Sequence, residues 1–166
     1  MISFHHDILP LKDKLFRLAL RITLNPAEAE DVVQETMIKI WNRRNSWETI
    51  DNIETFCLTI CRTLSLDKTR LMGNHALSLD TETEPPDYSH HSNPEEQVMQ
   101  RDRIQLVRQL IDQLPEKQRS CMQLRDIEGK SYKDIATILN ITEEQVKVNI
   151  FRARQTIREQ FKKADT

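Results

Sequence analysis

Residues 131–154 read S-Y-K-D-I-A-T-I-L-N-I-T-E-E-Q-V-K-V-N-I-F-R-A-R, and the fold turns on them. Tyr132, Ile135, Ala136 and Leu139 recur at the three- and four-residue spacing of one apolar helix face. Ser131 is a natural N-cap for that helix, with Asp134 three residues on. Asn140 falls where the helix must stop, and Asn is the non-glycine residue best suited to a left-handed cap. Thr142 then opens a second helix, and T-x-x-Q with Gln145 is a capping box. Val146, Ile150, Ala153 and Ile157 give that helix its buried stripe, and the small Ala136 lets the two helices cross closely. A short helix, a tight turn and a capped second helix predict a helix-turn-helix. The second helix presents Lys147, Asn149, Arg152 and Arg154. Asn and Arg can pair with base edges, whereas Lys suits phosphates. An ordinary helical hairpin with a charged outer face would show a similar pattern, so the rest of the chain has to decide.

Upstream, residues 95–113 carry a helical apolar pattern ended by Leu114-Pro115, and a helix over about Glu116–Ile127 is closed by Gly129. Residues 72–94 hold Gly73, Pro85, Pro86 and Pro94 among acids and small polar residues, and cannot bury enough apolar surface to fold alone. They divide the chain into two helical domains, 1–71 and 95–166, joined by a flexible acidic linker over 72–94. In the first domain, Ile8, Leu11, Leu15, Leu18, Ala19 and Ile22 form one helical stripe, broken at Asn25-Pro26. A helix over about Pro26–Arg44 follows, with Ala29, Val32, Val33, Met37, Ile40 and Trp41 as its apolar positions. Residues 45–52 form a turn-rich loop around Trp47, before a third helix over about Ile53–Leu71 with Phe56, Leu58, Ile60, Cys61 and Leu64 inward. The fold class is all-α.

Composition agrees. The 166 residues include 2 glycines, 5% aromatics and 30% charged residues. The net charge of −2 hides an asymmetry. Residues 71–100 have no Lys or Arg but hold Asp80, Glu82, Glu84, Asp87, Glu95 and Glu96, whereas residues 101–166 carry a net +4. A basic C-terminal part suits a polyanionic partner. No apolar run is long enough for a membrane helix and no signal-peptide pattern opens the chain, so a cytoplasmic location with reduced Cys57, Cys61 and Cys121 is expected. The thiols read as buried small hydrophobes rather than metal ligands.

Two sets of motifs make the chain resemble a known family. L-P-E-K-Q-R (114–119), E-G-K-S-Y-K-D-I-A (128–136) and V-K-V-N-I-F-R-A-R (146–154) resemble region 4 of bacterial sigma factors. A-E-D-V-V-Q-E (29–35), the stretch around Trp41 and D-K-T-R (67–70) resemble their region 2. The order and spacing over most of residues 8–163 resemble the extracytoplasmic-function (ECF) group of the sigma-70 family.

The resemblance implies a non-catalytic specificity subunit of RNA polymerase that reads a −35 element, melts a −10 element and needs no cofactor, metal or small-molecule substrate. It implies core polymerase binding, to the β′ clamp coiled coil and the β flap, with Asp31, Gln34, Glu35, Lys39 and Arg43 on the clamp-binding face. It places Lys147, Val148, Asn149, Phe151, Arg152 and Arg154 at the −35 element, with Arg119 and Ser131 at its backbone. The −10 contacts would come from Trp47, Asn52, Arg62, Thr63, Lys68 and Arg70. Trp47 is open to two roles, a base-stacking surface or a loop anchor in the core. Phe151 is likewise open to DNA contact or packing, and the linker to a mere tether or an occupant of the polymerase cleft. An anti-sigma factor, in one form anchored in a membrane, is a further implied partner.

The chain departs from the family in three places. Cys57-Leu58 and Arg62-Thr63 stand where Trp-Leu and Arg-Asn are common, which changes one −10 contact at Thr63. Glu144-Gln145 stands where a Gly-Thr pair is common, which puts a carboxylate near DNA. A stand-alone helix-turn-helix regulator is the alternative, but it leaves the pattern from Asp31 to Arg70 unused. An enzyme would need a phosphate loop, metal cluster or nucleophile motif, none of which the sequence carries.

Overall fold

The computed structural model describes residues 1–73 and 94–164, and every described regular element is helical. A π turn over Phe4–Ile8 and a 3₁₀ turn over Leu9–Leu11 lead into α1 (Lys12–Thr23). Helix α2 (Pro26–Asn42), a 3₁₀ turn over Arg44–Thr49 and α3 (Ile53–Gly73) complete the first half. The second half holds α4 (Pro94–Asp112), α5 (Glu116–Met122), a π turn over Gln123–Ile127, α6 (Tyr132–Leu139) and α7 (Glu143–Ala164). The expected linker, apart from its ends, lies outside the described residues.

Helices α1, α2 and α3 pack mutually into a three-helix bundle. Leu15, Leu18, Ala19 and Ile22 of α1 meet Ala29, Val32, Val33 and Ile40 of α2 and Cys57, Leu58, Cys61 and Leu64 of α3, all buried. The break after α1 falls one residue earlier than the sequence suggests. Leu24 takes the left-handed conformation (φ 57°) and its N–H bonds the Leu20 carbonyl. Asn25 is extended instead, because its side chain caps α2 by accepting from the N–H groups of Ala27 (2.9 Å) and Glu28 (3.1 Å). The one polar residue fully buried in α2, Thr36, donates its hydroxyl to the Val32 carbonyl at 2.6 Å.

Helices α4, α5 and α6 pack around α7. The helix-turn-helix forms as its sequence dictates. The Ser131 hydroxyl accepts from the Asp134 N–H (3.1 Å), and Asn140 sits at φ 55°. The Ile141 N–H closes back on the Ala136 carbonyl at 3.0 Å. Both halves of the capping box are made, Thr142 N–H to Gln145 Oε1 (2.9 Å) and Gln145 N–H to Thr142 Oγ1 (3.1 Å). Helix α5 is shorter than expected. It widens at Gln123 into a π turn whose Glu128 N–H bonds the Gln123 carbonyl, and Gly129 (φ 68°) then turns the chain into α6.

The two halves also touch each other. Helix α3 packs on α6, and α1 packs on α5 and the π turn after it. One continuous apolar cluster runs from Ile8 to Ile150.

Candidate nucleic-acid interface

The outer face of α7 carries charged and apolar side chains together in solvent. Lys147, Val148, Phe151 and Arg152 recur at helical spacing, and all are exposed. Phe151 is 67% exposed, so packing is not its role here. The Asn149 amide is half-buried and donates to the Gln145 carbonyl (2.8 Å), which holds the side chain against its helix with its own oxygen left over as an acceptor. A shallow groove runs beside this face, lined by Lys117, Ile141, Thr142, Glu144, Gln145, Val148, Asn149 and Arg152. The Lys147 ammonium lies 5.4 Å from the Tyr132 ring centre, and the Arg125 guanidinium stacks on that ring at 4.2 Å.

Three of the residues the resemblance assigns to the −35 element stand apart from that face. Ser131 is exposed, but its hydroxyl is engaged as the α6 cap. Arg154 forms a two-point pair with Asp126, and that hydrogen bond holds its guanidinium above its ordinary pKa. Arg119 is buried where α5 meets α1 and donates to the Arg21 carbonyl (3.1 Å), while its Nε has no partner. Burial pulls its pKa down. In this arrangement neither Arg154 nor Arg119 is presented to a phosphate, because each guanidinium is already held within the protein.

On α3, Thr63 and Arg70 are exposed on one face, with Asn52 at the helix start accepting from the Thr55 N–H (3.1 Å). Lys68 faces away and pairs with Glu35 of α2 at 3.5 Å. Arg62 is 9% exposed, and its guanidinium grips the Glu116 carboxylate with two bonds. Trp47 is 6% exposed, and its indole N–H donates to the Ile40 carbonyl (2.9 Å). Phe4 stacks on it at 6.4 Å between ring centres. Of the two roles open to Trp47, the geometry matches the loop anchor, since a base could stack on the indole only after it left the core.

The α2 face holds Asp31, Gln34, Glu35 and Lys39 in the open, and Arg43, also exposed, lies over the Phe56 ring at 5.9 Å. Sequence reasoning missed two apolar members of this surface. Ile38 is 59% exposed, and Trp41, expected in the core, is 47% exposed with the Arg44 guanidinium over it at 4.9 Å. The signal was available, since Ile38 lies four residues after Gln34 and seven after Asp31, on their side of the helix. Lys117 in the α7 groove was missed as well, and nothing in the local pattern separates it from an ordinary solvated lysine. The cysteines are free and buried, with their thiols pushed up to about 12 by burial. Among the described residues no group of His, Cys, Asp and Glu is placed to hold a metal, and no helix is long and apolar enough to cross a membrane.

Comparison with known proteins bears directly on this arrangement. Residues 8–71 match the family described as Sigma-70 region 2, and residues 104–157 match Sigma-70, region 4. The chain is 32% identical over 160 residues to the RNA polymerase sigma-H factor of Pseudomonas aeruginosa, covering 91% of this chain and 83% of that protein. It is 28% identical over 162 residues to the ECF RNA polymerase sigma factor SigW of Bacillus subtilis, covering 91% and 84%. The sigma factor RpoE of Bartonella quintana, solved in complex with the anti-sigma factor NepR, shares the fold at TM-score 0.75 and 24% identity, with 98% of each chain covered. The chain belongs to the sigma-70 family of RNA polymerase sigma factors, within its ECF group.

Proposed function

We propose that this ECF sigma factor engages its polymerase through the exposed face of α2 and its promoter through α7 and α3. One observation carries the reading. Lys147, Val148, Phe151 and Arg152 on the outer face of α7 are exposed with Asn149 half-buried among them, while Val146, Ile150 and Ala153 hold the helix in the fold. Helix α7 enters a major groove by its N-terminal half, with Lys147 on phosphate, and Asn149 and Arg152 toward base edges. Val148 and Phe151 supply apolar contact. Glu144 beside them repels phosphates that are not drawn in by a correct fit, which lowers affinity for arbitrary DNA. The modest charge of residues 141–163, six bases against three acids, suits a reader that borrows affinity from a second attachment point.

That second point is the α2 face. Asp31, Gln34, Glu35, Lys39 and Arg43 surround the exposed Ile38 and Trp41, an apolar centre with a polar rim such as protein interfaces use. The occupant is the β′ clamp coiled coil, with the β flap meeting the second domain. Strand opening at −10 falls to the exposed α3 face, with Asn52, Thr63 and Arg70. An anti-sigma factor is the natural regulator, as the complex of the similar Bartonella sigma factor with NepR suggests. Its anchoring in a membrane is part of the same proposal, as are the domain limits 1–71 and 95–166 and a cytoplasmic site of action.

The test is promoter-specific runoff transcription by core RNA polymerase with the purified chain. Transcripts that start at one site only when the chain is present support the reading. A chain that binds duplex DNA tightly alone yet never directs the polymerase would instead be a stand-alone regulator.

A further inference from the structure

Trp41 keeps 47% of its surface in water on the α2 face, and that exposure gains nothing for the fold. The indole is nevertheless held by three neighbours. The Arg44 guanidinium lies over it at 4.9 Å and donates to the Trp41 carbonyl (3.2 Å). Trp47 meets it at 6.1 Å between ring centres, inclined by 65°. Phe4, on the π turn Phe4–Ile8, meets it edge-to-face at 5.5 Å and 82°. Aromatic rings attract one another at such distances and tilts, beyond the area they bury.

Phe4 is itself firmly placed. Its turn is closed by two bonds between the same pair of residues, Asp7 N–H to the Ser3 carbonyl (2.8 Å) and Ser3 N–H to Asp7 Oδ2 (2.7 Å). Ile8 at the end of the turn is fully buried, and Ile2 before it packs half-buried against the same core. The Phe4 ring stacks on Trp47 with only 18° between the planes. Trp47 is fixed in turn by its bond to the Ile40 carbonyl. Support therefore runs outward in one line, from the Ile40 carbonyl through Trp47 and Phe4 to Trp41.

We propose that Phe4 is a positioning residue for polymerase binding, whose ring holds the Trp41 indole in the one orientation that the clamp takes, without touching the clamp itself. The proposal rests on the reading of the α2 face as the polymerase-binding surface. Interface energy concentrates in a few aromatic anchors, and an anchor fixed before contact loses no rotamer freedom on binding. Ile38, 59% exposed, lies three residues before Trp41 on the same face. An indole released from Phe4 is free to fold over Ile38 and cover the apolar centre that the clamp needs. One side chain that must be ordered again on binding weakens affinity by roughly two- to tenfold.

Trp41 and Trp47 are the two tryptophans of the chain, so the full chain labelled with fluorotryptophan gives one fluorine NMR signal for each, assigned by the signal that Trp41→Ala removes. Affinity for core RNA polymerase is measured on the same variants. Phe4→Ala should broaden the Trp41 signal and weaken polymerase binding by roughly two- to tenfold, while the Trp47 signal stays narrow and shows the bundle intact. Phe4→Tyr keeps the ring and should bind as wild type, and Phe4→Leu, which keeps only bulk, should fall between. In a Trp41→Ala background Phe4→Ala should add nothing, because Phe4 acts through Trp41. Polymerase binding that Trp41→Ala weakens and Phe4→Ala leaves unchanged overturns the proposal and leaves the reading of the α2 face standing. Losses that add in the double variant overturn it as well, since Phe4 would then meet the polymerase in its own right. Binding that Trp41→Ala leaves unchanged sinks the reading of the α2 face, and the proposal with it.

Discussion

Arg152 and Arg154 lie two residues apart on α7, and the structure assigns them opposite costs. Arg152 is exposed on the rim of the groove, so Arg152→Ala removes little that the fold uses. Stability should stay within about 0.5 kcal/mol of wild type in urea unfolding. The arginine should matter only against DNA. A lost base-edge contact costs about 1–3 kcal/mol, which is roughly five- to 150-fold in affinity for the cognate −35 element. Arg154→Ala should behave the other way. It breaks the pair with Asp126, whose side chains are 43% and 31% exposed, so the loss of stability is that of a surface bridge, about 0.2–1 kcal/mol. Its effect on −35 discrimination should be small. The assay is holoenzyme binding to fluorescent promoter fragments with single-base changes across the −35 element, alongside urea unfolding of each variant. Equal loss for both variants at the same base would refute the division of labour. A uniform loss on every sequence by Arg152→Ala would show that it holds only phosphate.

Four other outcomes follow from the same geometry. Thr142→Ala removes one half of the capping box before α7 and should cost about 1 kcal/mol in urea unfolding, with Thr142→Ser recovering most of it. Trp47→Ala should cost about 3–5 kcal/mol and Trp47→Phe about 1 kcal/mol, the latter being the bond to the Ile40 carbonyl; an unchanged midpoint in Trp47→Ala would mean the loop is not anchored. Burial pushes the three thiols up to about 12, so at pH 8 iodoacetamide should leave Cys57, Cys61 and Cys121 unmodified in the native chain and alkylate all three in urea. Burial alone would raise the Glu54 carboxyl, but Lys130 and Lys14 outweigh it and hold it below the ordinary value of 4.5. Its contribution is therefore complete above that value and fades as pH falls through the lowered one, so the stability advantage of wild type over Glu54→Gln should shrink from pH 7 to pH 3.

The parts of the fold that are local in sequence were legible in sequence. Ser131, Asn140 and the Thr142–Gln145 pair each act within three or four residues of themselves, and each does in the structure what its chemistry predicts. The buried stripes were legible for the same reason, since Leu15, Leu18 and Ile22 on α1 or Val146 and Ile150 on α7 follow the period of one helix. Errors came where one residue type had two local uses. Asn25 suits a turn by its chemistry but serves as a cap, so the left-handed position falls to Leu24. Trp41 follows the apolar period of α2, yet the Trp47 side chain takes the place against Ile40, and Trp41 stays half-exposed beside it.

What periodicity could not reach is the partnering of charges between distant segments. Arg62 and Glu116 are 54 residues apart, and Arg17 and Glu128 are 111 apart. Nothing in the neighbourhood of either arginine distinguishes it from Arg70 or Arg152, which stay exposed. A helix pattern says which face a residue occupies, and a basic residue on an outer face suits a polyanion. The second domain, however, carries its own anions on the face that meets the first. The outward position of a guanidinium on its own helix therefore does not say whether its partner is a polyanion or a carboxylate of the same chain.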